Sequence, residues 1–240
     1  MPPRQQNPYV ASVLGFTLAE VLITLGIIGV VAALIIQNFN TKYRNHALST
    51  QFKYAYNILY NTTNELLYEN DFTTWPGYGL NRSETGILEM YHKKIPNSII
   101  CNIKSESAVC KNIIKSFKDK NHTSYDWYNN ILLINNTAIS MTSYIKDCSF
   151  NGYQHGVNNM CLSFVVDTNS TKGPNKPGYD RFTFLLSQRS NNPSDIRFVP
   201  EGIDYSIPDE CTNSECGNTA CRCNVSTKAL QDSNYFKKLK

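Results

Sequence analysis

Catalytic signatures are missing from this 240-residue chain. It has no G-x-S-x-G nucleophile elbow, no H-E-x-x-H zinc helix and no G-x-x-x-x-G-K-[ST] phosphate loop. Histidine is scarce: the four present, His46, His92, His122 and His155, are scattered and form no recognisable Cys/His or Ser/His pattern. The chain therefore reads as a non-enzyme. A strong excess of one charge is lacking too, since 23 Lys and Arg against 19 Asp and Glu leave a formal net charge of +4. So weak a basic balance does not call for nucleic acid. Lys111, Lys115, Lys118 and Lys120 gather near Phe117, but a solvated helix face accounts for them, and no nucleic-acid partner is expected. No internal repeat is visible.

Charge is also nearly absent from residues 16–36, FTLAEVLITLGIIGVVAALII, where Glu20 is the single charged side chain among 21 residues. About 20 apolar residues suffice for a helix to cross the hydrocarbon core of a bilayer. A soluble core helix seldom stays apolar on every face for so long. A carboxylate deep in a membrane span costs about 2.5–3.5 kcal/mol on insertion, so such a group is expected to have a partner. No Lys or Arg lies elsewhere in the segment. Within one chain, the cation on offer would be an amino group made by a cut at Gly15–Phe16. Glu20 would then be the fifth residue, one turn along the same helix face as the new N-terminus. A neighbouring copy displaced along the helix axis could bring its amine to this carboxylate, making Glu20 a register device.

Cysteine is absent before Cys101 and then occurs eight times, at Cys101, Cys110, Cys148, Cys161, Cys211, Cys216, Cys221 and Cys223. An even number confined to the region beyond an apolar anchor predicts disulfides and an oxidising compartment. Zinc fits less well, because the last four lack paired C-x2-C knuckles and a nearby His. The expected pairs are the local ones, 101–110 and 148–161, with the last four bonded among themselves. Lys42, Arg44 and Lys53 follow the span while Arg4 alone precedes it, and a positive-inside count would put the C-terminal region in the cytoplasm. The cysteines argue the opposite and decide the assignment: the large domain is extracytoplasmic.

The stretch GFTLAEVLITLGIIGVVAAL resembles the cleavage and methylation segment of type IV prepilins and of the related type II secretion pseudopilins. The residues that carry the resemblance are Gly15, Phe16, Thr17-Leu18 and Glu20, and the matching stretch is about a twelfth of the chain. In that family a membrane aspartyl prepilin peptidase cuts after the glycine and N-methylates the new terminal residue. The resemblance implies cleavage between Gly15 and Phe16, methylation of Phe16, and an assembly role for Glu20. The leader MPPRQQNPYVASVLG departs from the usual short basic leader in having Arg4 alone, and Gln37 stands where many pilins have a helix-bending proline. The implied partners are copies of itself or related pilins, the peptidase, an inner-membrane assembly platform, and membrane lipids before assembly. The implied location is the bacterial inner membrane, single-pass, and then a surface pilus or a periplasmic pseudopilus. A large cysteine-rich head favours a pilin over a pseudopilin.

The expected organisation is a leader at 1–15, a transmembrane and assembly helix at 16–36, its amphipathic continuation at 37–70 and a globular head at 71–240. Phe39, Tyr43, Ala47, Phe52, Ala55, Tyr56, Leu59, Leu66 and Leu67 recur at near-helical spacing, and Trp75-Pro76-Gly77 breaks the pattern. In the head, residues 87–92 read as a strand. Residues 106–118 read as a helix with Val109, Ile113, Ile114 and Phe117 on one side. Residues 130–141, 162–167, 181–187 and 195–199 read as strands, rich in β-branched and aromatic side chains. The fold class is α+β and pilin-like, a long N-terminal helix packed on a mostly antiparallel sheet, with a disulfide-rich tail over 201–240. The loop DTNSTKGPNKPGYD, residues 167–180, offers Asp167, Asn169 and Asp180 as hard oxygen ligands for Ca2+. It is not an EF-hand, since Gly178 stands where the twelfth-position glutamate belongs. The preferred reading is a hairpin loop whose Asp and Asn bond their own backbone. No other cofactor is indicated.

Overall fold

The computed structural model describes residues 15–69, 86–117, 130–142, 148–151, 156–189, 195–203 and 224–239. The chain divides into two units, residues 1–43 and 44–240. Helix α1 (Leu18–Tyr68) runs through 51 residues and belongs in part to each.

In the first unit, the side chains from Phe16 to Ile36 are almost all exposed. Leu22, Ile23, Leu25, Ile27, Ile28, Val30 and Leu34 are all exposed. This is the one helix among the described residues that is long and apolar enough to cross a membrane.

In the second unit, α1 changes character. Asn45, Leu48, Phe52, Ala55, Leu59, Thr62, Thr63, Leu66 and Leu67 are buried, at steps of three and four that mark one helix face. That face meets an antiparallel sheet of seven strands: β1 (Ser98–Asn102), β2 (Asn130–Ile134), β3 (Thr137–Thr142), β4 (Phe150–Asn151), β5 (Asn159–Asp167), β6 (Arg181–Gln188) and β7 (Ile196–Pro200). The spatial order is β1-β2-β3-β5-β6-β7, with β4 pairing β5 to one side. Strand residues alternate between faces. Leu132, Ile134, Phe164, Val166, Phe182, Phe184 and Leu186 join the α1 side of the core. Ile131, Leu133, Ala138 and Val165 point the other way, onto helix α3 (Ala108–Phe117). A smaller cluster on Val157, Met160, Leu185 and Val199 lies apart from both.

Several expectations need correction. Residues 87–92 belong to a helix, α2 (Gly86–Lys94), in which Ile87, Leu88 and Tyr91 are buried at helical spacing. A six-residue apolar-polar run is too short for periodicity alone to separate helix from strand. On α3, Cys110 rather than Val109 joins Ile113, Ile114 and Phe117 inside, and Val109 is exposed. The run 130–141 is two strands, not one. The Asn135-Asn136 turn between them holds Asn135 at φ 53°, in the left-handed region that asparagine tolerates. β1 and β4 escaped the sequence reading. So did helix α4 (Val225–Gln231) and the 3-10 turn Tyr235–Lys238, which lie within the supposed irregular tail. Residues 1–14 of the leader, the Trp75-Pro76-Gly77 breaker, and Cys211, Cys216, Cys221 and Cys223 fall outside the described residues. The other four cysteines form the bonds Cys101–Cys110 and Cys148–Cys161. The first ties α3 to β1, and the second ties the segment before β4 to β5.

Candidate functional sites on the N-terminal helix and the 167–180 loop

Helix α1 begins at Leu18, so Thr17 is its N-cap residue and Glu20 the third helical residue. Thr17 Oγ1 accepts the Glu20 backbone N–H at 3.3 Å, and Glu20 Oε2 accepts the Thr17 backbone N–H at 2.8 Å. The Thr17 hydroxyl also donates to Glu20 Oε2, at 2.8 Å. This is a capping box, in which two orphan donors of the helix end satisfy each other reciprocally. Glu20 therefore has partners within its own chain, which the search for a cation overlooked. The signal was present as T-x-x-E at the head of an apolar run. These bonds satisfy a carboxylate oxygen but bring no positive charge to it.

Gly15 and Phe16 precede the cap. Among the described residues a Cβ on Gly15 would meet nothing within 4 Å, so no packing against them requires glycine there. Phe16 is 87% exposed.

The 167–180 loop brings Asp167, Asn169 and Asp180 together, and all three are buried. Asp180 uses both oxygens. Oδ2 accepts from the Asn175 backbone N–H (2.9 Å) and the Asn169 side-chain amide (3.2 Å), and Oδ1 accepts from the Lys176 backbone N–H (2.6 Å). Asp167 Oδ1 accepts the Asn169 backbone N–H at 3.2 Å, and its Oδ2 pairs with Arg181 Nε at 3.1 Å. With its amide nitrogen turned inward, Asn175 donates to Asp167 Oδ2 (3.1 Å) and to the Lys172 carbonyl (3.0 Å). The carboxylates are thus met by the loop's own N–H groups and one guanidinium. Burial pushes Asp167 up to about 7, with the neighbouring Asp180 charge adding to the rise and Arg181 opposing it. Arg181 also donates to the Ser116 carbonyl (2.6 Å) and lies over the Phe117 ring, which joins the loop to the end of α3. Among the described residues, no three of His, Cys, Asp and Glu gather as a metal-holding group.

The C-terminal segment clasps this loop from outside. Tyr235 donates its hydroxyl to the Gly178 carbonyl at 2.8 Å. Gly178 sits at φ +79°, and a Cβ there would lie 2.7 Å from the Tyr235 oxygen, so both backbone angle and space require glycine. Ser226 accepts the Thr183 backbone N–H at 2.9 Å, and Thr227 donates to the Glu201 carbonyl at 2.7 Å.

Two further groups have functional-looking chemistry. His92 Nδ1 lies 2.8 Å from Ser98 Oγ, a pairing that sequence reading did not detect. Ser98 Oγ also donates to the Ile95 carbonyl at 2.8 Å, so its hydrogen is used in closing the end of α2. Lys111 and Lys115 are exposed on α3, whereas Phe117 is fully buried and offers no face for stacking a base. Lys118 and Lys120 lie outside the described residues. No protein-family model, curated protein or solved structure matches this chain.

Proposed function

We propose that the chain is a structural subunit of a bacterial extracytoplasmic filament of the type IV pilin kind. In this reading prepilin peptidase cuts it after Gly15, the amino group of Phe16 is methylated, and an inner-membrane platform moves the subunit from the bilayer into a helical filament of like copies. The same N-terminal design serves the pseudopilins of type II secretion, which is the alternative assembly within this class. One observation carries the reading: the G-F-T-x-x-E head opens a helix whose first half is bare and apolar while its second half is seated on an antiparallel sheet. A bare apolar half needs lipid before assembly and other helices after it. The unexplained glycine at 15 supports the reading, because a peptidase would have a use for a residue that the fold does not. So do Gly26 and Gly29. Each weakens a helix by about 1 kcal/mol relative to alanine, and among the described residues neither has a contact that calls for it.

The role of Glu20 follows from what its hydrogen bonds leave undone. Thr17 satisfies an oxygen with neutral donors, and the negative charge still awaits a cation. A neighbour's N-terminal amine supplies one, and head-to-tail contacts of this sort generate an open filament. Glu20→Gln keeps a capping side chain and removes the charge. Thr17→Val removes the hydroxyl and keeps the charge. If the charge sets register, Glu20→Gln abolishes sheared surface filaments while Thr17→Val reduces them in part. Mass spectrometry of the mature chain is expected to give N-methylated Phe16. A chain that retains residues 1–15, or a Glu20→Gln variant with normal filaments, overturns the proposal and leaves an anchored monomer.

A further inference from the structure

The last turn of the chain is fixed at three points. Phe236 is buried with its ring centroid 5.5 Å from that of Phe52 and 6.0 Å from that of Phe182. Tyr235 bonds the Gly178 carbonyl, and the Leu239 carbonyl accepts the Asn45 side-chain amide at 2.9 Å. Lys237 and Lys238 are therefore displayed on a rigid platform next to Asn45, not on a loose tail. Asn45 follows Ile36, the last residue of the apolar run, by nine positions, roughly two and a half helical turns. Its neighbour Arg44 is exposed, as are Lys237 and Lys238. Opposing charge is sparse: Asp232 pairs with Lys238 at 2.8 Å. Among the described residues no carboxylate pairs with Arg44 or Lys237, which bond only the neutral side chains of Asn45 and Asn234.

We propose that Arg44, Lys237 and Lys238 form a docking face for the anionic headgroups of the bilayer that residues 16–36 enter. Each exposed cation near such a surface is drawn to it, and the attraction fades within a Debye length. Arg44 follows Ile36 by eight positions, so the chain itself tethers this face to the surface that the span enters. Its rigidity also means that little freedom is lost on docking. The inference rests on the reading of 16–36 as a membrane span and does not depend on filament assembly.

The test uses the full chain in nanodiscs of phosphatidylcholine alone, or of phosphatidylcholine with phosphatidylglycerol. The readout is the rate at which a water-soluble reagent acetylates each lysine, by mass spectrometry. Lys237 and Lys238 are expected to react on the order of tenfold more slowly in the anionic discs, with Lys104 and Lys111 unchanged. High salt is expected to remove the difference, and Arg44→Gln to shrink it. Equal rates in the two discs overturn the proposal. So does equal protection by inorganic phosphate in neutral discs, which would mark a small-anion site instead of a membrane surface. If the chain fails to enter either disc, the span reading falls together with the docking face.

Discussion

Phe52 is the point at which three parts of the head meet. It lies on α1, and its ring centroid is 4.4 Å from that of Phe182 and 5.8 Å from that of Phe184 on β6, and 5.5 Å from that of Phe236 in the last turn. Its side chain is fully buried. Phe52→Ala would leave a ring-sized void that none of these elements can close without dragging on the others. Such truncations cost about 3–5 kcal/mol, and the upper part of that range fits a site that cannot collapse. A domain of this size loses roughly 2–4 °C in Tm per kcal/mol, so a fall on the order of 10 °C is expected. Near-UV circular dichroism in detergent is the appropriate probe, since far-UV signal would be dominated by helix that survives. Tyr43→Ala, at a residue 76% exposed, serves as the control and is expected to be nearly neutral. A Phe52→Ala midpoint within about 3 °C of the parent would mean that α1 is not seated on the sheet as described.

The remaining predictions concern the loop and its clasp. Asp167 is raised to about 7, above the ordinary carboxylate value it has when unfolded, so the folded head holds the proton more tightly. Its contribution is fully present below the unfolded value and is lost as pH rises through about 7, so Tm should be higher at pH 5 than at pH 8, by on the order of 2 kcal/mol of stability. Asp167→Asn should flatten that slope, and a Tm that rises across the window would refute the assignment. Gly178→Ala should lower stability by roughly 1–3 kcal/mol, from its left-handed backbone and the crowding by Tyr235, whereas Gly173→Ala, with nothing within 4 Å of the new Cβ, should barely register. Calcium or a chelator should leave Tm unchanged, because Asp180 already accepts three N–H donors and Asp167 is paired with Arg181. A calcium-dependent rise of several degrees would show that the loop prefers a cation to its own backbone.

The parts of the fold legible in the sequence were those with long or doubly supported signals. α1 could be read because its apolar run is longer than any soluble core helix needs, and because Phe52, Ala55, Leu59, Leu66 and Leu67 keep a helical step. The expected Phe39 and Tyr43 are instead exposed, and Asn45 and Leu48 hold the buried positions of that stretch. β6 and most of β5 could be read because the runs LSFVV and FTFLL are rich in apolar, β-branched and aromatic residues, and burial on both faces follows from that. Short elements failed for a physical reason. α2 has nine residues and β1 five, and at those lengths tertiary contacts settle the conformation that local pattern leaves open. Tyr91 is helical in part because its hydroxyl meets Thr63 of α1 at 2.7 Å, a partner 28 positions away that no local window contains.

At Glu20 the sequence held two signals in the same five residues, and they answer different needs. A threonine three positions ahead of a glutamate caps a helix wherever the helix lies, in water or in lipid. A glutamate in an otherwise uncharged span asks for a cation, which the cap does not provide. Reading the second signal alone made a neighbouring subunit appear to be the sole source of a partner. With Thr17 bonded to it, the carboxylate is held in a fixed place at the helix end in the single chain. In the proposed filament a neighbour would have to bring only charge, to a position already set. The same distinction separates the two carboxylates of the 167–180 loop. Asp167 has both N–H donors and the Arg181 cation inside its own fold, whereas Asp180 is met by neutral N–H donors.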